Sequence, residues 1–164
     1  MKKKNRKKHN NAGMSLVEIV VVVLIIGILS AGAAIGFSFI NSRDASSAAE
    51  NIMSTLERTK LDTLASKNTE TVLLKLCKES NHYYGIVMKD STELDKIELA
   101  KNGVTITVKD SSGGQTVISD STSYELKYNK SNGSFSSAAN EIVVSGANTV
   151  TVRLVTLTGR SYME

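Results

Sequence analysis

The chain has 164 residues and a formal charge of +4, but six of its twenty Lys and Arg fall in residues 1–13, which hold no acid. Taking those six from twenty leaves fourteen cations against sixteen acids, a net −2, so a general electrostatic affinity for nucleic acid is excluded and only a local basic patch could supply one. A single cysteine excludes an intramolecular disulfide, and the length allows one exported domain of ordinary size that holds together by packing alone.

The chain opens with MKKKNRKKHNNAG and then, from Ile19 to Ile40, runs for 22 residues without a charge. At about 1.5 Å of rise per residue that run makes a helix of roughly 33 Å, against a hydrocarbon core of about 30 Å. The pattern predicts a membrane span with its basic side in the cytoplasm and the rest of the chain outside. A secretory signal has a shorter apolar region, about 7 to 15 residues, with its small-residue cleavage site after it. Here the run is longer, and the small residues Ala12 and Gly13 lie before it. Glu18 stands at the start of the apolar run. A carboxylate in such a setting costs a few kcal/mol unless it is neutralised or paired, which makes it a functional hypothesis; the plainer reading is a headgroup-level residue with no role.

The block Gly13-Met14-Ser15-Leu16-Val17-Glu18, set between a basic leader and an uninterrupted apolar helix, resembles the prepilin peptidase site of type IV pilins and of the pseudopilins of type II secretion and DNA-uptake systems. The resemblance implies that a prepilin peptidase cuts after Gly13 and that the new N-terminus, Met14, is methylated. It also implies that Glu18, the fifth mature residue, pairs with the Met14 ammonium of a neighbouring subunit. The chain departs from the pattern of many Gram-negative major pilins, because Cys77 has no partner with which to close a C-terminal loop. Proline is absent, so softening of the stem falls to Gly27, Gly32 and Gly36, each about 1 kcal/mol less favourable than Ala in a helix.

Beyond Asn41-Ser42-Arg43-Asp44 the helical signal continues. Ala45, Ala49, Ile52, Leu56, Thr59 and Thr63 recur at spacings of three and four, flanked by Ala48, Met53 and Leu64, while Glu50, Glu57, Arg58, Lys60 and Asp62 take the other positions. This predicts one helix from about Ser15 to Lys67, its second half packed on a head. From Thr69 the period becomes two. Strands are predicted over 71–78, 82–88, 96–99, 104–109, 123–128, 141–145 and 149–157, with turns at 79–81, 102–103, 111–114, 132–133, 145–148 and 158–159. Short connections favour antiparallel pairing, so the expected fold is α+β: a long N-terminal helix against one or two antiparallel sheets. The Ser- and Gly-rich stretches 110–123 and 129–140 are read as loops.

The segment from Leu126-Lys127-Tyr128 through Asn132-Gly133-Ser134-Phe135 to Val150–Leu157 and Thr158-Gly159-Arg160 resembles the tail of the H-type minor pseudopilins and related minor pilins. Other chemistry is thin. Cys77 and His82 fall on either side of a predicted turn, where a thiol-imidazole pair is weighed against a strand cysteine and a turn histidine, the latter preferred. Asp110 and Asp120 sit in loops without EF-hand spacing, and Asn129-Lys130-Ser131 and Asn132-Gly133-Ser134 fit the short glycosylation sequon. Tyr83, Tyr84, Tyr124, Tyr128 and Phe135 with Lys127, Lys130, Arg153 and Arg160 offer a single-stranded DNA patch, against the commoner role of strand aromatics as core.

These readings divide the chain into a cleaved leader (1–13), a transmembrane and assembly half-helix (14–40), an amphipathic half-helix (41–68) and an exported β-rich head (69–164). They predict a structural subunit, minor by its tail, of a type IV pilus or of a secretion or competence pseudopilus, with no catalytic residue, cofactor or metal. Its site residues are Gly13 and Met14 for processing and Glu18 for assembly. Its partners are the prepilin peptidase, other pilin or pseudopilin subunits, the membrane assembly platform and lipid. Close helix packing through Gly27, Ala31, Gly32, Ala34 and Gly36 is the expected mode. The alternative is a membrane-anchored monomer whose head binds DNA or a surface ligand.

Overall fold

The helical period carries through to a 50-residue helix, α1, Leu16–Ala65, in a computed structural model that describes residues 16–67, 69–101 and 103–164, the side chains of 31–43 excepted. Two compact units divide the chain, Met1–Phe37 and Ser38–Glu164. In the first, Leu16 to Leu29 of α1 are apolar apart from Glu18 and Gly27, and their large side chains are exposed all round. Ser30 Oγ donates to the Ile26 carbonyl at 2.7 Å, so the first hydroxyl of the run is satisfied within its own helix. Among the described residues no helix is long and apolar enough to cross a membrane. The span expected over 19–40 runs into positions whose side chains lie outside those residues.

In the second unit the later part of α1 buries the stripe expected of it. Ala45, Ala48, Ala49, Ile52 and Leu56 are fully enclosed, and Thr55, Thr59 and Thr63 are buried beside them. Each of these threonines donates its hydroxyl to the carbonyl four residues back, at 2.6 to 2.7 Å, so a polar atom enters the core with its bond already made. The helix stops at Ala65. Ser66 then turns its hydroxyl to the Thr63 carbonyl, and Glu70 caps the Lys67 amide at 2.8 Å.

Two antiparallel sheets enclose this stripe. One is built from β1 (Val72–Glu79), β2 (His82–Lys89), β3 (Thr92–Ala100) and β6 (Tyr124–Lys127) in the order β3-β2-β1-β6. The other holds β4 (Thr105–Asp110), β5 (Gln115–Val117), β7 (Ala139–Ser145), β8 (Thr149–Val155) and β9 (Arg160–Met163) in the order β5-β4-β7-β8-β9. Alternation sends Val72, Leu74, Leu76, Val87 and Leu126 of the first sheet, and Ile106, Val108, Ile142, Val144 and Val152 of the second, into one core with the helix. Gly85 of β2 lets the helix come close: a Cβ there would lie 3.2 Å from Thr55 Cγ2.

The expected α+β architecture is present, with both sheets antiparallel, and three differences are informative. β3 begins at Thr92 because Asp90 and Ser91, at φ 47 and 70, make a two-residue turn like that of Ser80 and Asn81, at φ 50 and 68. β5 and β9, in stretches without an alternating pattern, are short edge strands placed by β4 and β8. β8 ends at Val155, two residues before the strand expected to reach Leu157.

Candidate functional site

The functional residues expected of this chain lie at its N-terminal end. Gly13 and Met14 fall outside the described residues. Glu18 occupies the first turn of α1 and is exposed, where the unsatisfied amides of a helix start favour a carboxylate. Around and beyond it, twelve large aliphatic side chains from Leu16 to Leu29 are 44–78% exposed. A helix apolar on every side has no solvent face to spare and is stable only when covered by lipid or by other helices. Full burial is worth about 1.5–3 kcal/mol per large aliphatic side chain, so covering twelve outweighs the cost of removing one carboxylate from water. A Cβ added at Gly27 meets no atom within 4 Å, so nothing within the described part of this chain requires a glycine there.

The other candidate chemistries resolve into structural roles. Cys77 lies opposite Tyr84 in the β1–β2 register, and His82 lies opposite Glu79. The imidazole Nδ1 is 3.1 Å from Glu98 Oε1, and its ring stacks on Tyr84 at 6.2 Å between centroids. The thiol contacts Glu79 at 3.9 Å, and burial, followed by that carboxylate, pushes it above the usual thiol range. An acid neighbour and a buried site disfavour the thiolate, so the pair is not an activated nucleophile.

Asp110 Oδ1 accepts from the Ser112 amide, the Ser112 hydroxyl and the Gly114 amide at 2.7 to 2.8 Å. The Ser112 hydroxyl above all holds this carboxyl below its ordinary value. The acid therefore closes its loop, and among the described residues no cluster of His, Cys, Asp or Glu is placed to hold a metal. Asn129 and Asn132 likewise accept from Ser131 and Ser134, shaping the 129–134 turn.

The aromatic patch is dispersed. Tyr83, Tyr128 and Phe135 are buried. The Tyr128 and Phe135 rings pack at 4.5 Å, and Tyr128 Oη donates to the Leu56 carbonyl at 3.0 Å. Lys127 sits 3.4 Å from Glu125, and Arg153 pairs with Glu141 and Glu164. Bases cannot stack on these three rings, and these two cations already face acids, whereas Tyr84 and Tyr124 are half-buried and Arg160 is exposed.

Sequence reasoning overlooked Lys60, whose Nζ crosses from α1 to the Thr158 and Gly159 carbonyls at 2.7 and 3.2 Å. It reads there as one more solvated charge, and only the fold brings it to the β8–β9 turn.

Residues 8–34 match a family model described as the prokaryotic N-terminal methylation motif. The matched stretch holds Gly13, Met14, Glu18 and the exposed apolar start of α1, so this end of the chain is a type IV pilin-like signal. The head behind it, one helix followed by antiparallel sheets, is consistent with a pilin-like fold. Nothing among curated proteins and nothing among solved structures matches the chain.

Proposed function

We propose that this chain is a minor structural subunit of a type IV pilus or of a secretion or competence pseudopilus. In this reading the N-terminal helix inserts in the cell membrane with the leader in the cytoplasm and the head outside. Prepilin peptidase cuts after Gly13, Met14 is methylated, and the helix moves from lipid into a bundle of like helices on the assembly platform. The subunit then acts by assembly and not by catalysis. Loss of the leader removes six cations that hold the helix at the cytoplasmic face.

The observation that carries the reading is the methylation motif at 8–34 joined to an aliphatic surface left uncovered from Leu16 to Leu29. A free N-terminal ammonium and Glu18 on an adjacent helix would neutralise each other where an unpaired charge costs several kcal/mol. The minor role rests on the likeness of the tail alone. Mass spectrometry of the mature N-terminus, with prepilin peptidase present, tests the reading: the expected species starts at Met14 and carries one added methyl group. An intact leader, or a cut beyond Ile40, would refute it.

A further inference from the structure

The edges of the two sheets are not equally closed. β3 carries Glu93, Asp95, Lys96 and Glu98 and shifts register twice against β2, and both features discourage a further strand. β5 has three residues, and at the end of β6 the Lys127 carbonyl already accepts from the Ser136 amide. β9 lacks such guards. It pairs with β8 without a register shift, and just beyond it the Thr151 and Glu164 backbones exchange both hydrogen bonds, at 2.8 and 3.2 Å. Antiparallel alternation then turns the amides and carbonyls of Ser161 and Met163 away from β8, and these groups have no partner among the described residues. Ser161 and Met163 lie opposite Leu154 and Val152, so they share the inner face with two core residues, yet Met163 is 42% exposed. An open groove of about 370 Å³, partly polar, runs between this edge, at Gly159, Arg160 and Ser161, and α1, at Glu57, Lys60 and Leu61. Leu61 is 66% exposed, so apolar surface is left open on the helix as well as on the last strand. On the outer face, ion pairs of alternating sign step across the sheet from Lys109 to Glu141, Arg153 and Glu164. Arg160, opposite Val155 on that face, is exposed and has no ion-pair partner among the described residues.

We infer that the β9 edge receives an extended segment of a different filament subunit, which joins this five-stranded sheet antiparallel to β9 as a sixth strand and packs its inner side chains on Leu61. The inference rests on the filament reading above and adds the kind of partner the head takes. The outward amides and carbonyls of Ser161 and Met163 supply the main-chain bonds of strand addition, and alternate side chains supply its specificity. On the outer face the added residue beside Arg160 is an acid, which carries the alternating pairs one step further. Glu57, on the helix wall and also without an ion-pair partner among the described residues, excludes an acid from the inner face. The segment that fits is therefore apolar on one side and polar on the other, with its acid on the polar side. Lys60 already holds the Thr158 and Gly159 carbonyls, so the edge loses little freedom on docking. β9 of a second copy would set Glu164 beside Arg160, but two like strands pair antiparallel about a two-fold axis perpendicular to the sheet, which reverses one α1 against the other. Two chains that enter one membrane by the same end cannot meet in that way, so the occupant is a different subunit.

The test uses the full chain in cells that hold the assembly machinery, with a photoreactive phenylalanine analogue in place of Tyr162, and identifies the cross-linked peptides by mass spectrometry. The expected product joins this chain to a different subunit at a peptide that alternates apolar and polar residues and carries an acid on its polar side. Ser161→Pro removes only an outward amide of an edge strand, a position at which proline is tolerated, and should lower the yield of that product about tenfold or more, with processing and membrane level unchanged. Arg160→Glu, a surface exchange that leaves the backbone alone, sets like charges at the contact and should lower the yield as well; it decides the matter if Ser161→Pro does not fold. No product with another subunit, products only between two copies of this chain, or a yield that either folded variant leaves unchanged would each overturn the strand addition while leaving the filament reading in place. A wild-type chain that is cut after Gly13 yet enters no filament overturns both.

Discussion

Gly159→Ala should damage the head far more than its conformation alone predicts. Gly113 provides the control, since both glycines have positive φ, 59 at Gly159 and 90 at Gly113, but a Cβ at Gly113 meets nothing within 4 Å. Ala at Gly113 should cost only the left-handed penalty, about 1–2 kcal/mol. At Gly159 the Cβ would overlap the Gly133 carbonyl oxygen and approach Tyr128 Cε1 at 3.2 Å. One of the two turns must then move. The Phe135 amide to Thr156 carbonyl bond at 2.9 Å and the two bonds from Lys60 lie in the path of that movement. Losing them at about 1 kcal/mol each, on top of the same φ penalty, gives about 4 kcal/mol. For a domain of this size 1 kcal/mol shifts the melting temperature by about 4 °C, so the expected losses are about 15 °C for Gly159→Ala and about 5 °C for Gly113→Ala. Thermal unfolding of a fragment beginning near Asn41, followed by circular dichroism, measures both. Equal shifts for the two variants would show that the interlocked turns yield freely and would refute the reasoning.

Two further outcomes follow from the site and the loops. Glu18→Gln keeps the shape of the side chain and removes its charge at a position five residues past the scissile bond, so insertion and cleavage should be normal while incorporation into filaments falls; equal incorporation would make Glu18 an interfacial residue only. Asp110 has its folded pKa held below the ordinary value, so its contribution is present above about pH 4 and disappears as pH falls through the folded value. Asp110→Asn keeps the acceptor for the loop amides but should flatten part of the decline in melting temperature between about pH 5 and pH 2, leaving the share of Glu70, whose pKa is lowered first by Lys89. An unchanged acid limb would mean that the loop forms as readily around a neutral carboxyl.

The amphipathic half of α1 was legible because its burial follows a local period, and Ala45, Ala49, Ile52, Leu56, Thr59 and Thr63 are all buried as their spacing predicts. The core strands were legible for the same reason, since β1, β2, β4 and β7 send alternate residues inward. What stayed hidden depends on neighbours. β5 and β9 exist as strands because β4 and β8 present edges to them. The Asp90-Ser91 turn lacks the glycine that usually marks such a reversal. The processing motif is readable because it is a run of adjacent residues, whereas the tie from Lys60 to the Thr158 and Gly159 carbonyls exists only once the β8–β9 turn is folded against α1.

The threonine column of α1 has a mechanical consequence. Because Thr55, Thr59 and Thr63 complete their hydrogen bonds within the helix, that part of the stripe offers the sheets a smooth surface with no polar grip. The helix is instead held by Asn51 to the Leu99 carbonyl, Tyr128 to the Leu56 carbonyl, Arg58 to Asp95, and Lys60 to the β8–β9 turn. These four ties are spread over about two and a half turns of the helix. A pull along the helix axis loads them together in shear and does not peel them one after another. Extraction of the helix would then be a single slow event governed by its unfolding rate, and the head would tolerate tension up to that point with little creep.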